Sequence, residues 1–277
     1  MEFDKFHIEG DDGICTVISR ELHRYHSVNQ YLIDSLMGNY IWFSNPEDFN
    51  DPYDCNLDFD FECTRVELEA FFREINNMPE NAYRKKSESE LQEEITKCVD
   101  NPEVLRQRNR EQSIDGIKRI GVCCFSEHDD RLLMWSHYGN KHQGACLTFD
   151  INEHKELFLQ YPYSVEYPQR YPKINWIKER GLFKPFRFEF ATKSLEWSYE
   201  AEVRIIRNEK NPPYRNEVKF NKKALKAIKF GYKSTAADQI SIKETLNKAK
   251  GYEHVRFYSA KLKHLDFGIE YEEIFKQ

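Results

Sequence analysis

The sequence predicts an α+β protein, and three observations point there. Short apolar, strand-like runs are dispersed along the whole chain, from Tyr40-Ile41-Trp42-Phe43 to Ile269-Glu270-Tyr271. Helical patterns fall between them without the regular strand–helix–strand rhythm of a doubly wound fold. A charged block at 64–118 reads as consecutive helices and interrupts the strands as one insertion. The expected organisation is one domain over 1–277 with that insertion. No repeat and no low-complexity tract is present.

The elements follow in order. Ser27 can cap a helix over 28–37, with Gly38 as its stop. A short strand is expected at 40–43. The loop 44–53 carries two Pro and two Asn, so it is rigid and irregular. Thr64 with Glu67 forms a capping box ahead of Phe71, Phe72 and Ile75. Ser87 with Glu90 forms a second one ahead of Leu91, Ile95 and Val99. Asn101-Pro102 opens a third helix, because Pro is tolerated at the first helical position. Gly121 to Ser126 reads as a buried strand. Asp129 or Asp130 is the expected cap of a short helix that ends at Gly139. Further strands are expected at 144–149, 163–167, 201–207, 218–220, 227–231, 255–262 and 269–271, with a helix over 235–250.

Composition excludes some classes of function. The net charge is −6 with 32% charged residues, so a basic grip over the whole surface is not indicated, although a local basic groove remains open. No apolar run approaches the roughly 18 residues of a membrane span. Met1-Glu2-Phe3-Asp4-Lys5 has no basic stretch followed by an apolar one, so no secretory signal is read and a cytoplasmic location is expected. The seven Cys are odd in number, irregularly spaced and without C-x-x-C, which reads as reduced thiols, with Cys123, Cys124 and Cys146 buried in strands.

Three segments hold more polar and aromatic groups than a core would select. The first is Phe43-Ser44-Asn45-Pro46 through Asn50-Asp51-Pro52. The second is Trp135-Ser136-His137-Tyr138-Gly139. The third is Trp197-Ser198-Tyr199-Glu200-Ala201-Glu202-Val203-Arg204. Consecutive residues diverge by about 100° around a helix, so Trp135 to Tyr138 cannot all face one core. Read as a strand, the third segment puts Ser198, Glu200, Glu202 and Arg204 on one face. Two carboxylates that close tend to raise one pKa into a useful range. Leu22-His23-Arg24-Tyr25-His26-Ser27 sets a cation just before a helix start, a favourable place for a phosphate. His137 and His142 lack the further converging ligands that a metal needs, so no metal site is expected. No phosphate-binding Gly-rich loop, no G-x-S-x-G and no zinc-ligand spacing is present.

Taken together, these motifs resemble a large bacterial family catalogued only as a domain of unknown function, often associated with abortive infection and phage defence. The resemblance runs from about Leu22 to Leu262. It rests on Asn50-Asp51-Pro52, on Cys124-Phe125-Ser126-Glu127 leading into Met134-Trp135-Ser136-His137-Tyr138-Gly139, and on Tyr199-Glu200-x-Glu202-x-Arg204. The element order is also similar to the ADP-ribosyltransferase-like superfamily, whose core is a mixed, mainly antiparallel sheet with flanking helices.

That resemblance implies NAD as substrate and transfer of ADP-ribose, or hydrolysis of NAD, by a toxin or antiviral defence effector. Arg24 takes the place of a first-strand residue that meets NAD, in the manner of the Arg-Ser-Glu branch. Tyr138, with Trp135, Ser136 and His137 beside it, takes the place of the helix that packs on nicotinamide, in the manner of the His-Tyr-Glu branch. Tyr25, Ser44 and Arg204 complete the implied NAD contacts. Glu202 is placed under the ribose and Glu200 toward the acceptor, a protein or a nucleic acid. A regulatory protein or antitoxin would sit on 64–118. Two other readings stand beside this one. One is a Mg²⁺-dependent nuclease or nucleotide hydrolase using Asp129, Asp130, Glu200 and Glu202. The other is a non-catalytic sensor that docks a protein through 64–118.

Overall fold

The computed structural model describes residues 5–9, 15–159, 162–179, 184–208 and 216–275. Its strands are β1 (Lys5–Glu9), β2 (Cys15–Ser19), β3 (Glu21–His26), β4 (Tyr40–Trp42), β5 (Ile120–Ser126), β6 (Ala145–Asp150), β7 (Pro162–Ser164), β8 (Glu202–Asn208), β9 (Glu217–Lys219), β10 (Leu225–Phe230), β11 (Arg256–Leu262) and β12 (Ile269–Ile274). Its helices are α1 (Gln30–Gly38), α2 (Arg65–Asn77), α3 (Glu88–Asp100), α4 (Glu103–Ile117), α5 (Leu132–His137), α6 (Lys155–Phe158), α7 (Trp176–Glu179), α8 (Lys184–Phe190) and α9 (Ala236–Ala249).

Eight strands form one open sheet in the order β12-β11-β10-β6-β3-β5-β8-β7. Every neighbouring pair in it is antiparallel except β10 and β11, which the crossover helix α9 joins. The fold is therefore α+β with a mainly antiparallel sheet. Helices α1 and α9 bring Leu32, Leu36, Ile242 and Leu246 onto one face, where they meet Leu147, Phe149, Ile228 and Phe230. Alternation along β6 and β10 supplies that apolar face.

The helical block has a core of its own. Leu68, Phe71 and Phe72 of α2, Leu91 and Ile95 of α3, and Leu105 of α4 pack with Phe59, Phe61, Ile177 and Phe188. Both capping boxes form as read, Thr64 with Glu67 and Ser87 with Glu90. Among the described residues no helix is long and apolar enough to cross a membrane.

Several local expectations change. Asn29, not Ser27, caps α1 by accepting from the Leu32 N–H. Gly38 stays helical, and Asn39 ends the helix in the left-handed region, which Asn tolerates. Arg131 precedes α5 without a side-chain cap, because the Asp129 carboxylate pairs with Lys229 instead. The strand expected at 201–207 forms as β8 from Glu202, but the strand face read from Ser198 to Glu200 does not. Residues Leu195–Glu200 form a 3-10 helix, and Ala201 turns out of it with φ 41°. The six cysteines with described side chains are free, and Cys124 is only partly buried. The side chain of Cys15 and the residues Met1 to Asp4 lie outside the described part.

One feature of the sheet positions the site. β3 and β5 are neighbours, yet a single residue pair, His23 with Ser126, joins them. Beyond that pair the strands part. Ser44 takes up the vacated edge of β5 and exchanges both backbone hydrogen bonds with Val122. Ladder alternation turns the backbone N–H and C=O of the intervening Cys124 into the gap.

Candidate functional site

A cleft of about 230 Å³ opens where β3 leaves β5. His23, Arg24 and Tyr25 of β3 line one wall, and Cys124, Phe125 and Ser126 of β5 another. Ser44, Phe49 and Asn50 close it on the loop side, while Tyr138, Lys193, Glu200 and Glu202 form its charged end. Three segments far apart in sequence thus meet at one place.

The charged end is a buried lattice. Lys193 Nζ lies 2.7 Å from Glu200 Oε2, 2.9 Å from Glu202 Oε2 and 3.2 Å from Asp54 Oδ2. Arg204 donates from Nε to Glu202 Oε1 at 2.8 Å and from Nη2 to Glu202 Oε2 at 3.0 Å. It also grips Asp54 through Nη1 at 2.7 Å and Nη2 at 2.6 Å, and reaches the Phe190 carbonyl at 2.9 Å. Such forked pairing lets a buried guanidinium be satisfied without water. Tyr138 adds its hydroxyl, which donates to Glu200 Oε1 at 2.5 Å.

The turn at Ala201 makes this lattice possible. It bends the chain between the two glutamates, so Glu200 meets Tyr138 and Glu202 meets Arg204, while both reach Lys193. Ser126 Oγ fixes the bend by donating to the Glu200 carbonyl at 2.6 Å. The Glu202 N–H donates to the Tyr167 hydroxyl at 2.9 Å.

The two glutamates titrate in opposite directions. Burial raises the Glu200 pKa above its ordinary value, against the pull of Lys193. Burial acts the same way on Glu202, but Arg204 and then Lys193 overcome it and hold Glu202 ionised, well below the usual range. Burial works to lower Lys193, and Glu202 and Asp54 more than reverse that. Three carboxylates, Asp54, Glu200 and Glu202, face two cations, Lys193 and Arg204, which leaves one carboxylate unmatched when all are ionised. The excess belongs to the cluster as a whole: Glu200 makes the shortest contact with Lys193, while Asp54 and Glu202 share Lys193 and add Arg204.

The remaining sequence-selected residues divide into two groups. Arg24 lies at the cleft and donates to the Trp42 carbonyl at 2.9 Å and to Cys123 Sγ at 3.0 Å, so it does not serve the α1 N-terminus, which Asn29 closes. Tyr25 lines the cleft with its ring edge-on to Trp135 and its hydroxyl on the His128 carbonyl. Trp135 is a fully buried anchor, donating from its indole to the Asp129 carbonyl. Ser136 and His137 are exposed and outside the cleft lining. Arg204, selected as an NAD contact, is fully buried and committed to Asp54 and Glu202. Glu200 is not on a strand face with Glu202, because the 3-10 helix ends between them.

The segment after the Trp-Ser-His-Tyr helix is shaped by backbone demands. Asn140, Lys141 and His142 all take positive φ, at 48°, 54° and 70°. Three left-handed residues in a row are uncommon and cost about 1–2 kcal/mol each. Gly144 follows because a Cβ there would collide with the His26 carbonyl.

Lys193 and Asp54 were not legible as site residues. Lys193 sits in Ala191-Thr192-Lys193-Ser194, with no motif around it, and lysine is ordinarily exposed. Asp54 follows the selected Asn50-Asp51-Pro52 by two residues. Asp51 is buried, with Oδ1 accepting the Tyr53 N–H at 3.0 Å and Oδ2 unpartnered. Among the described residues no group of three or more His, Cys, Asp or Glu is placed to hold a metal ion. The four acids of the nuclease reading do not converge, since Asp129 pairs with Lys229 while Glu200 and Glu202 turn to Lys193.

A comparison with protein families matches residues 134–205 to DUF2971, a protein of unknown function. The matched stretch runs from Met134 to Ile205 and so carries Tyr138, Lys193, Glu200, Glu202 and Arg204. No curated protein and no solved structure matches the chain.

Proposed function

We propose that the cleft binds the nicotinamide riboside end of NAD and cleaves the bond between nicotinamide and ribose, passing ADP-ribose to an acceptor or to water. The observation that carries this reading is the excess of one carboxylate in the cluster of Asp54, Glu200 and Glu202 over Lys193 and Arg204, at the end of an open, partly aromatic cleft. A site one positive charge short favours a cation. NAD brings one in its pyridinium ring, and the charge moves to the sugar as an oxocarbenium ion when the bond breaks. A fixed carboxylate beside developing positive charge is the largest single catalytic term available here.

Glu200 is the better candidate for that role: each of its oxygens takes one partner, Tyr138 or Lys193, whereas Arg204 holds both oxygens of Glu202 and Lys193 adds a second contact to one of them. Glu202 then acts by holding Lys193 and Arg204 in place. In the reaction the C1′–N bond breaks and nicotinamide leaves with the electron pair. The acceptor's oxygen or nitrogen bonds to C1′, and its proton passes to Glu200 or solvent. The cleft of about 230 Å³ is smaller than a typical ligand pocket of roughly 300–1,000 Å³. It takes one ring with its sugar, so the pyrophosphate lies at the mouth, near Arg24. Consumption of a shared cytoplasmic cofactor would suit a toxin or an anti-phage defence effector.

The test uses NAD labelled in nicotinamide and, separately, in the adenylate. Wild type is expected to release nicotinamide, and Glu200→Gln to release at least about 100-fold less, the scale of losing one transition-state contact. Adenylate label that stays on macromolecules identifies the acceptor class. Wild type that releases no nicotinamide with any cell fraction would end this reading.

A further inference from the structure

The helical block holds a second cavity, of about 260 Å³, that the NAD reading does not use. Its apolar wall is aromatic: Phe61, Phe71 and Phe72 with Trp176. Its other wall is cationic, with Arg84, Lys86 and Arg108. Glu94 lies between them, nearly buried, and accepts from one nitrogen of Lys86 and one of Arg108.

Two physical points make this more than a surface ion pair. Protein interiors leave few voids, and a cavity walled by rings forfeits contacts that packing would supply. Glu94 fixes Lys86 and Arg108, while their side chains keep 45% and 42% exposure. A lysine has three N–H donors and an arginine five, so one bond to Glu94 from each leaves donors for a second acceptor. Three cations against one carboxylate give the cavity a net charge of about +2 in a chain of net charge −6.

We propose that this cavity is a binding site for a small planar aromatic anion, its ring against Phe72 and Trp176 and its anionic group on Arg108 and Lys86. The size fits a mononucleotide or an aromatic carboxylate rather than a dinucleotide. Phe59 and Phe61, which belong to the same core, follow Asp54 of the cleft lattice by a few residues.

The experiment titrates the full chain with adenosine monophosphate and, separately, with indole-3-carboxylate, following tryptophan fluorescence and thermal midpoint. The expected result is saturable binding of one probe, weakened at least tenfold in Arg108→Gln and unchanged in Glu200→Gln. Binding of the monophosphate alone assigns a phosphate-bearing ligand, and binding of the indole alone assigns a carboxylate. If Arg108→Gln does not fold, Lys86→Gln serves in its place, since Lys86 is the other cation that holds the anionic group and its side chain is 45% exposed. Binding of neither probe, or binding that these substitutions leave intact, overturns the proposal.

Discussion

The Tyr138 hydroxyl donates to the Glu200 carboxylate across 62 residues of sequence, and the bond ties helix α5 to the turn that leads into β8. Among the hydrogen bonds of the lattice between described residues, it is the one direct link from the charged end of the cleft to the Trp-Ser-His-Tyr segment. Burial raises Glu200, and the Tyr138 hydrogen bond is one of the forces that lower it.

Tyr138→Phe should therefore raise the Glu200 pKa further. If ionised Glu200 performs the cleavage, the acid limb of the NAD-cleavage profile moves to higher pH, and kcat/KM falls more at pH 6 than at pH 8. The lost bond to a charged group should cost about 1.5–3 kcal/mol of stability. Profiles of wild type and variant with superimposable acid limbs would remove Glu200 from the chemistry.

Stability should depend on acid through Glu202. Its folded pKa is depressed by Arg204 and Lys193, against burial, from an ordinary value near 4.5. The unfolded chain then binds the proton more readily. The contribution is present above about pH 4.5 and is lost as pH falls toward the folded value. Denaturant midpoints measured from pH 6 down to pH 3 should fall less steeply in Glu202→Gln than in wild type, from a lower starting stability. Glu200, raised by burial, has the opposite sign, so Glu200→Gln should not flatten that slope. Equal slopes in wild type and Glu202→Gln would show that the lattice is not ionised as described.

Arg204 should matter for folding more than for binding. It is fully buried, and both its ion-pair partners are buried carboxylates. Arg204→Ala leaves Asp54 and Glu202 with Lys193 alone, which should cost about 3–5 kcal/mol. Arg204→Lys should not rescue it, because a point charge cannot make the forked bonds. Thermal denaturation of the two variants decides this, and a small loss in either would count against the lattice.

The sequence carried the fold class because its local signals agree with the tertiary structure. The capping boxes at Thr64 and Ser87, the strand runs at Cys123 and Leu147, and the crossover helix after Thr235 all read from pattern alone. The site was legible in part. Arg24, Ser44, Tyr138, Glu200 and Glu202 do line one cleft. Pattern could not show that the sheet parts between β3 and β5, because strand separation leaves no periodicity to read. Nor could it show which charges are spent on each other. Asp54 neutralises Arg204 from 150 residues away, and Lys193 gains its role only by burial. Trp135 shares its segment with Tyr138, yet its ring is fully buried edge-on to Tyr25 and outside the cleft lining.

Ala201 separates the continuous strand that alternation suggests from the bent chain that the structure contains. Its φ of 41° and ψ of 56° lie in the left-handed region, where a Cβ costs about 1–2 kcal/mol. Glycine is free of that cost but loses more entropy on folding, about 0.5–1 kcal/mol. Ala201→Gly should therefore be neutral or slightly stabilising. Ala201→Val should be destabilising by roughly 2 kcal/mol or more, since a β-branched side chain fits this region worst. It should also cut NAD cleavage beyond what its thermal midpoint explains, because the turn aims Glu200 at Tyr138. In a continuous strand the order reverses, since valine favours strands and glycine weakens them. If Ala201→Val proved as stable and active as wild type, the chain would run straight from Glu200 to Glu202, and the separation of their roles would fall with it.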